Sequence, residues 1–385
     1  MLTLLLAAAL SNVDMVAHCT ATTYYDCGLQ LGTQMRAPIT ASIATYAPLL
    51  DWVKTMDDGK TIFLDLMALN GAAYPDVMAE YKGIAAGANV DETALMVVAL
   101  STELSYFAAR DGVAVPRPKS CSDFHVLHDG TSLWGHNEDE TLDQAAISFL
   151  VRGNVSGDVW LGFTYAPNVV GWAWGANLHG HGQSSNALFP LNVSIGLGAN
   201  FVARDVLRST SLDDAVKRAT VNGQGNGQHF NLGNTRTPLH QAMVETSFVG
   251  SHVRSDAELS PVAFHANLYE SPALKGLDGG PSRRPSSAHR MRRMSELAPK
   301  FNTTVGSNSM WISTATDVFR TVLSDTKDPA WPIHRDGARP DCCITLNSVV
   351  FDAVARTITV WGGTGGAGVA PIYLVDWDTL QLSKK

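Results

Sequence analysis

The chain has 385 residues, 45% of them hydrophobic and 17% charged, enough apolar material for a large core and too much for a disordered chain. Its 28 Lys and Arg stand against 36 Asp and Glu, a net charge of −8, which excludes the electropositive footprint of a nucleic-acid binder. Five cysteines, Cys19, Cys27, Cys121, Cys342 and Cys343, are too few and too irregular for a disulfide framework or a zinc knuckle, and one or more should be free.

Residues 2–10 form an apolar run about as long as a signal-peptide core and too short to cross a bilayer, so no stable membrane insertion is expected. No basic segment precedes it and no clean cleavage site follows, which leaves a secreted or lumenal and a cytoplasmic location equally open. Residues 1–27 are read as a signal or N-terminal extension. The sequons at Asn154, Asn192 and Asn302 matter only on a secretory route.

Residues 28–107 carry apolar side chains at spacings of three and four, interrupted at Gly71, Pro75 and Gly87, and predict an α-rich segment. Its clearest helix opens at Asp91 as cap and runs to about Phe107. Residues 110–120, with Gly112, Pro116 and Pro118, read as a linker. Short β-like runs follow. The first two, 124–127 and 133–136, flank an Asp129-Gly130 pair that favours a two-residue hairpin turn. Further strands are expected at 147–151, 159–165, 170–177, 262–266, 344–351 and 357–361, with helices near 202–209 and 211–220, the latter capped by Ser211. Residues 281–287 read as an exposed basic loop. Strands and helices fall into blocks, which predicts stacked layers rather than βαβ alternation.

Two patterns carry no function on this reading. The run from Gly363 to Gly368 satisfies G-x-G-x-x-G, but the 17 residues after it leave no room for the rest of a nucleotide-binding unit. His125, His128 and His136 resemble a metal cluster, yet in a strand His125 and His128 point to opposite faces. No cofactor is expected.

Cys121 sits where the linker meets the first strand. If the chain is cut before it, one residue supplies both a thiol and an α-amino group with pKa near 8 that can take the thiol proton. The run Cys121-Ser-Asp-Phe-His-Val-Leu-His-Asp-Gly-Thr-Ser-Leu-Trp-Gly-His-Asn-Glu-Asp139 resembles the start of the mature chain in the acyl-coenzyme A:6-aminopenicillanic acid acyltransferase family, peptidase family C45, which belongs to the N-terminal-nucleophile hydrolases and includes Tan-type β-alanyl-dopamine hydrolases. Three other stretches are similar to family elements: Phe264-His265-Ala266-Asn267-Leu268-Tyr269, Ser287-Ala-His-Arg290-Met-Arg-Arg293, and the Glu80-Tyr81-Lys-Gly-Ile-Ala-Ala-Gly run with Glu103. The chain departs from the family at Ser120, where glycine is common, and at Leu268, where many relatives carry histidine.

The resemblance implies an α+β fold, an αββα four-layer sandwich, divided into a small subunit of residues 28–120 and a catalytic part of residues 121–385. It implies cleavage between Ser120 and Cys121, with Cys121 as nucleophile and Asp139 holding the α-amino group. Asn267 would be the oxyanion donor, Arg290 would orient Asp139 or the substrate, and Ser287 would cap a helix. The substrate would be a small-molecule amide or thioester, and the cleaved N-terminal fragment a bound partner. Hydrolysis of N-acyl or aminoacyl amides comes first. Acyl transfer to an amine, a silent binding protein, and an uncut hydrolase pairing Cys121 with His125 or His136 are the alternatives.

Overall fold

The computed structural model describes residues 15–114, 120–301, 313–337, 343–363 and 366–385, with the side chains of 300 and 301 left aside. Strand β1 (Val16–Ala21) leads into helices α1 (Tyr24–Gln34), α2 (Arg36–Thr45), α3 (Ala47–Thr55), α4 (Asp57–Ala73), α5 (Pro75–Ala88), α6 (Glu92–Ala99) and α7 (Ser101–Arg110). The hairpin of β2 (Ser120–His128) and β3 (Thr131–Glu140) follows, then β4 (Ser148–Val155), β5 (Asp158–Tyr165), β6 (Trp174–Asn177) and β7 (His181–Leu188). Helices α8 (Ala199–Val206) and α9 (Leu212–Ala219) precede β8 (Gly227–Asn234), β9 (Gln241–Ser247), β10 (Gly250–Arg254) and β11 (Val262–His265). Helix α10 (Pro285–Leu297) and strands β12 (Ile344–Asp352), β13 (Thr357–Gly362), β14 (Tyr373–Asp376) and β15 (Gln381–Lys384) complete the chain.

The strands form two sheets, ordered β1-β4-β5-β6-β7-β8-β9-β10 and β11-β2-β3-β12-β13-β14-β15. Only β1, which runs parallel to β4, breaks the antiparallel pattern among these strands. Trp134, Leu161, Phe163, Trp174, Val349, Phe351 and Val375, drawn from both sheets, make one apolar cluster between them. Helices α1–α7 bury a second cluster against Phe149, Val151 and Trp160 of the first sheet, and α8 and α9 a third. Met294 and Leu297 of α10 cover Phe124, Val126 and Leu133 on the outer face of the second sheet. Helix, sheet, sheet, helix is therefore the layer order, as the resemblance implied.

The Glu80 to Gly87 run has a packing role. A Cβ at Gly83 would lie 2.0 Å from the Tyr25 carbonyl oxygen and one at Gly28 only 2.1 Å from that of Glu80, so α1 and α5 approach to backbone contact through glycine faces. Glu80 itself accepts from Arg204 Nε at 2.9 Å, tying α5 to α8, and the Arg204 guanidinium lies 4.0 Å from the Trp160 ring centre.

Several boundaries shift. Cys19 and Cys27 form a disulfide between β1 and α1, so part of the expected N-terminal extension is a strand of the larger sheet. The helix opened by Asp91, whose Oδ1 accepts from Ala94 N at 2.8 Å, breaks at Leu100 into α6 and α7. The strand expected over 170–177 is only β6, after a turn in which Gly171 holds φ 138° with the Ala203 carbonyl 2.6 Å from where a Cβ would stand. The loop expected over 281–287 gives way to helix at Pro285, because proline at a first helical position needs no hydrogen-bond partner. Arg284 occupies the cap position, so Ser287 lies inside the first turn and is not the cap. The Gly363 to Gly368 run falls partly outside the described residues.

Glu103, fully buried on α7, accepts the Ala199 N–H at 2.8 Å, and burial raises its pKa to about 7. The folded chain then holds a proton that the unfolded chain loses near the usual carboxylate value. Stability from this group falls as pH rises between those two values. Glu103→Gln should match the wild type near pH 4.5 and exceed it by about 3 kcal/mol above pH 7. Urea unfolding of both proteins at the two pH values measures the difference.

Candidate active site

Asp129 and Gly130 both adopt positive φ, 50° and 80°, as the expected two-residue turn requires. That turn sets the register: Cys121 faces Glu138, Asp123 faces His136, and Ser120 faces Asp139. Alternation sends Cys121, Asp123, His136 and Glu138 to the side of Trp134, between the sheets, and Ser122 and Asp139 to the side of Leu133, under α10.

The thiol therefore opens into a buried polar chain. It donates to Glu138 Oε2 at 3.5 Å, within reach for sulfur. The same oxygen lies 2.9 Å from His136 Nε2, and Tyr165 donates to Oε1 at 2.6 Å. His136 Nδ1 lies 2.9 Å from Asp123 Oδ1, which also accepts from Ser184 at 2.7 Å. Asp123, His136, Glu138 and Ser184 are fully enclosed. Burial, reinforced by the Glu138 charge, pushes the Cys121 thiol up to about 12, so it is protonated at neutral pH. Burial alone would neutralise His136, but Asp123 outweighs it and holds the imidazole well above its usual pKa, as an imidazolium. Its charge in turn overcomes burial at Asp123 and keeps that carboxyl below the usual range.

The backbone of Cys121 is held as firmly as its side chain. Its N–H donates to Asn267 Oδ1 at 3.0 Å, and its carbonyl accepts from Arg290 Nη1. Arg290 also donates to Ser122 Oγ at 2.9 Å, to Asn267 Oδ1 at 2.9 Å and to Ser287 Oγ at 3.2 Å, all within the buried interior. Asn267 Nδ2 donates to the Ala187 carbonyl at 2.9 Å, which leaves its second hydrogen for another acceptor.

Asp139 accepts from Thr345 Oγ1 at 2.7 Å, and its other oxygen lies 3.7 Å from Arg335 Nε. Arg335 thus lies beside Asp139, and Arg290 clamps the Cys121 backbone. Arg293 pairs with Asp325 and Glu296 and supports α10 from outside. His125 bonds Gln241 and Asn231 instead of the thiol.

Cys121, Asn267 and Arg290 are thus brought into direct contact. Asp123 and Glu138 are additions that motif reading missed, while His136, named there as an alternative partner of the thiol, lies between their two carboxylates. The signal was available in the hairpin turn, which fixes which β3 residues share a face with Cys121. The donor atoms of Cys121, His136 and Glu138 lie within 4.8 Å of one another, a zinc-like set by residue type. Both His136 nitrogens are already engaged by carboxylates, which suits a proton network.

Residues 126–365 match the family model described as acyl-coenzyme A:6-aminopenicillanic acid acyl-transferase. A β-alanyl-dopamine/carcinine hydrolase of Drosophila melanogaster is 25% identical over 214 residues, covering 51% of this chain and 54% of the fly protein, so the chain spans about half the length of that curated relative. Among solved structures, the Caenorhabditis elegans ortholog of N-acylethanolamine-hydrolyzing acid amidase matches with TM-score 0.41 and 16% identity, over 61% of this chain and 93% of that one. Penicillin V acylase from Agrobacterium tumefaciens matches with TM-score 0.39 and 13% identity, over 66% and 86%. With the matched segment spanning well over half of its length, this chain belongs to the acyl-coenzyme A:6-aminopenicillanic acid acyl-transferase family.

Proposed function

We propose that the chain cuts itself between Ser120 and Cys121 and then hydrolyses N-acyl or aminoacyl amides of small molecules through an acyl-enzyme on Cys121. The observation that carries this reading is the pairing of a buried thiol with a carboxylate at its sulfur and a clamp on its own backbone. In the uncut chain the Cys121 nitrogen is an amide and cannot act as a base. Glu138 is in contact to take the thiol proton instead, and the His136 imidazolium offsets the charge that develops on sulfur.

The sulfur attacks the Ser120 carbonyl, the C–N bond breaks as the Cys121 nitrogen gains a proton, and water hydrolyses the resulting thioester. The freed α-amino group then lies beside Asn267 Oδ1, on the residue that faces Glu138 and follows the one that faces Asp139. It takes the thiol proton during attack on a substrate amide and returns it to the leaving amine. The Asn267 hydrogen not given to Ala187 then serves the oxyanion. Residues 1–120 remain as a bound fragment, with the catalytic residues on 121–385. Acyl transfer uses the same intermediate with an amine in place of water, and the family's name favours keeping it as the second reading.

Intact mass and N-terminal sequencing of the wild type test this: a new terminus at Cys121, with acid released from N-acyl amides, is expected. A folded chain that remains whole would overturn it in favour of a silent binder or a Cys-His enzyme. Glu138→Gln keeps the shape but removes the base, and should slow self-cleavage by about 10²-fold or more. A time course of chain masses measures that rate.

A further inference from the structure

Two features remote from the active site point to one cellular compartment. The first is the bond between Cys19 and Cys27, which are 3% and 0% exposed and join β1 to α1. Buried disulfides that tie one element to another persist in oxidising surroundings and are rare in a reducing cytosol. Forming this one takes two protons and two electrons from the paired thiols, which pass to a disulfide-bearing oxidant that leaves as a dithiol. Cys121, whose thiol must stay reduced, is 2% exposed and so kept from the same oxidant.

The second feature is where the sequon Asn192-Val193-Ser194 lies, in the loop between β7 and α8 and outside any helix or strand. The loop is held by its backbone: Leu191 N–H donates to the Leu277 carbonyl at 2.7 Å, and Ser194 N–H to that of Gly225 at 3.0 Å. Asn192 itself is exposed, and its side-chain amide bonds to none of the described residues. Leu191 and Ile195, on either side of the sequon, are 50% and 42% exposed, apolar surface that a branched sugar on Asn192 would cover. Asn154 is placed differently. It is half-buried within β4, between β1 and β5, and its Oδ1 accepts from Gly157 N–H at 3.0 Å.

We propose that the chain matures in the secretory lumen and carries an N-linked oligosaccharide on Asn192. In the transfer, Asn192 Nδ2 attacks the anomeric carbon of an oligosaccharide held on a lipid diphosphate. A new N–C bond replaces the C–O bond to phosphate, the amide nitrogen gives up one proton, and the lipid diphosphate leaves. Ser194 supplies the hydroxyl that the acceptor triplet requires. Any substrate of Cys121 would then be met outside the cytosol. The assignment is independent of the acyl-enzyme reading given above.

Expression of the full chain in a eukaryotic cell line, followed by fractionation and peptide mass mapping, tests both halves of the proposal. The protein should be found in the lumenal fraction or the medium and lose mass on treatment with a peptide N-glycosidase. Run in heavy-oxygen water, that treatment should leave a labelled aspartate at position 192. Ser194→Ala should abolish the label as fully as Asn192→Gln does, although it keeps the asparagine. Cys19 and Cys27 should resist alkylation in denaturant until a reductant is added. A chain confined to the cytosol, or one whose Cys19 and Cys27 are alkylated without reduction, overturns the compartment. A lumenal chain with Asn192 bare, including one labelled at Asn154 alone, overturns the site.

Discussion

Cys121→Ala should accumulate as one chain uncut at Ser120–Cys121 and lose amide hydrolysis by roughly 10⁴-fold or more. Both losses would have a single cause, since on the proposed mechanism one sulfur is the attacking atom in the self-cleavage and in the acyl transfer that follows. The fold should survive. The Cys121 backbone keeps its bonds to Asn267 and Arg290, and alanine removes only an atom whose contacts are polar and short-range. Circular dichroism and a melting curve close to wild type, together with one mass instead of two, are the expected readings. A cut Cys121→Ala chain would place the nucleophile elsewhere.

On the proposed mechanism, Asn267→Ala should lower kcat by about 10²- to 10³-fold with a much smaller change in KM, because an oxyanion donor gains its full strength only against the transition state. This residue also has a structural share, as the acceptor for Cys121 N–H and Arg290 and the donor to Ala187. Asn267→Asp separates the two. The carboxylate still accepts from Cys121 and Arg290 but offers no hydrogen to an oxyanion or to the Ala187 carbonyl, so it should lose kcat like the alanine variant while a melting curve reports the cost of the lost Ala187 bond. Steady-state kinetics on processed protein decide the matter. Wild-type kcat in a folded Asn267→Asp enzyme would remove the oxyanion role.

The elements that declare themselves in sequence are those whose chemistry is local. The Asp129-Gly130 turn and the Ser211 cap are present, the latter accepting from Asp214 N at 3.1 Å. The helices of 28–107 are legible because one face of each is apolar. Strands β7 and β8 are not. His181-Gly-Gln-Ser-Ser-Asn-Ala-Leu188 and Gly227-Gln-His-Phe-Asn-Leu-Gly-Asn234 are buried throughout yet largely polar, so no alternation of apolar and polar residues marks them. Their interior is satisfied side chain to side chain, as His229 with Asn186 and Asn231 with Ser184 show. Such pairing depends on neighbours far away in the chain and leaves no local trace.

The site divides along the same line. Cys121, Asn267 and Arg290 are legible through family motifs and meet in space. Glu138 stood inside a quoted motif without a role, and His136 had one only in the uncut-hydrolase alternative, because their importance lies in which face of the hairpin they share with the thiol. Asp123 was hidden by its ordinary position in a strand.

Strand β1 precedes the proposed cut but is hydrogen-bonded into the sheet that follows it, and α1–α7 share their apolar cluster with β4 and β5. Breaking the Ser120–Cys121 bond would therefore not divide the molecule into two bodies. The fragments could part only by opening a sheet edge and exposing Phe149, Val151 and Trp160 together, so the cut protein should resist dilution as a single chain does. Regaining the fold after denaturation would be another matter. Before the cut, assembly is an encounter within one chain; after it, two chains must find each other, and recovery becomes second order in concentration. Activation would thus be a step taken once per molecule, with folding done first.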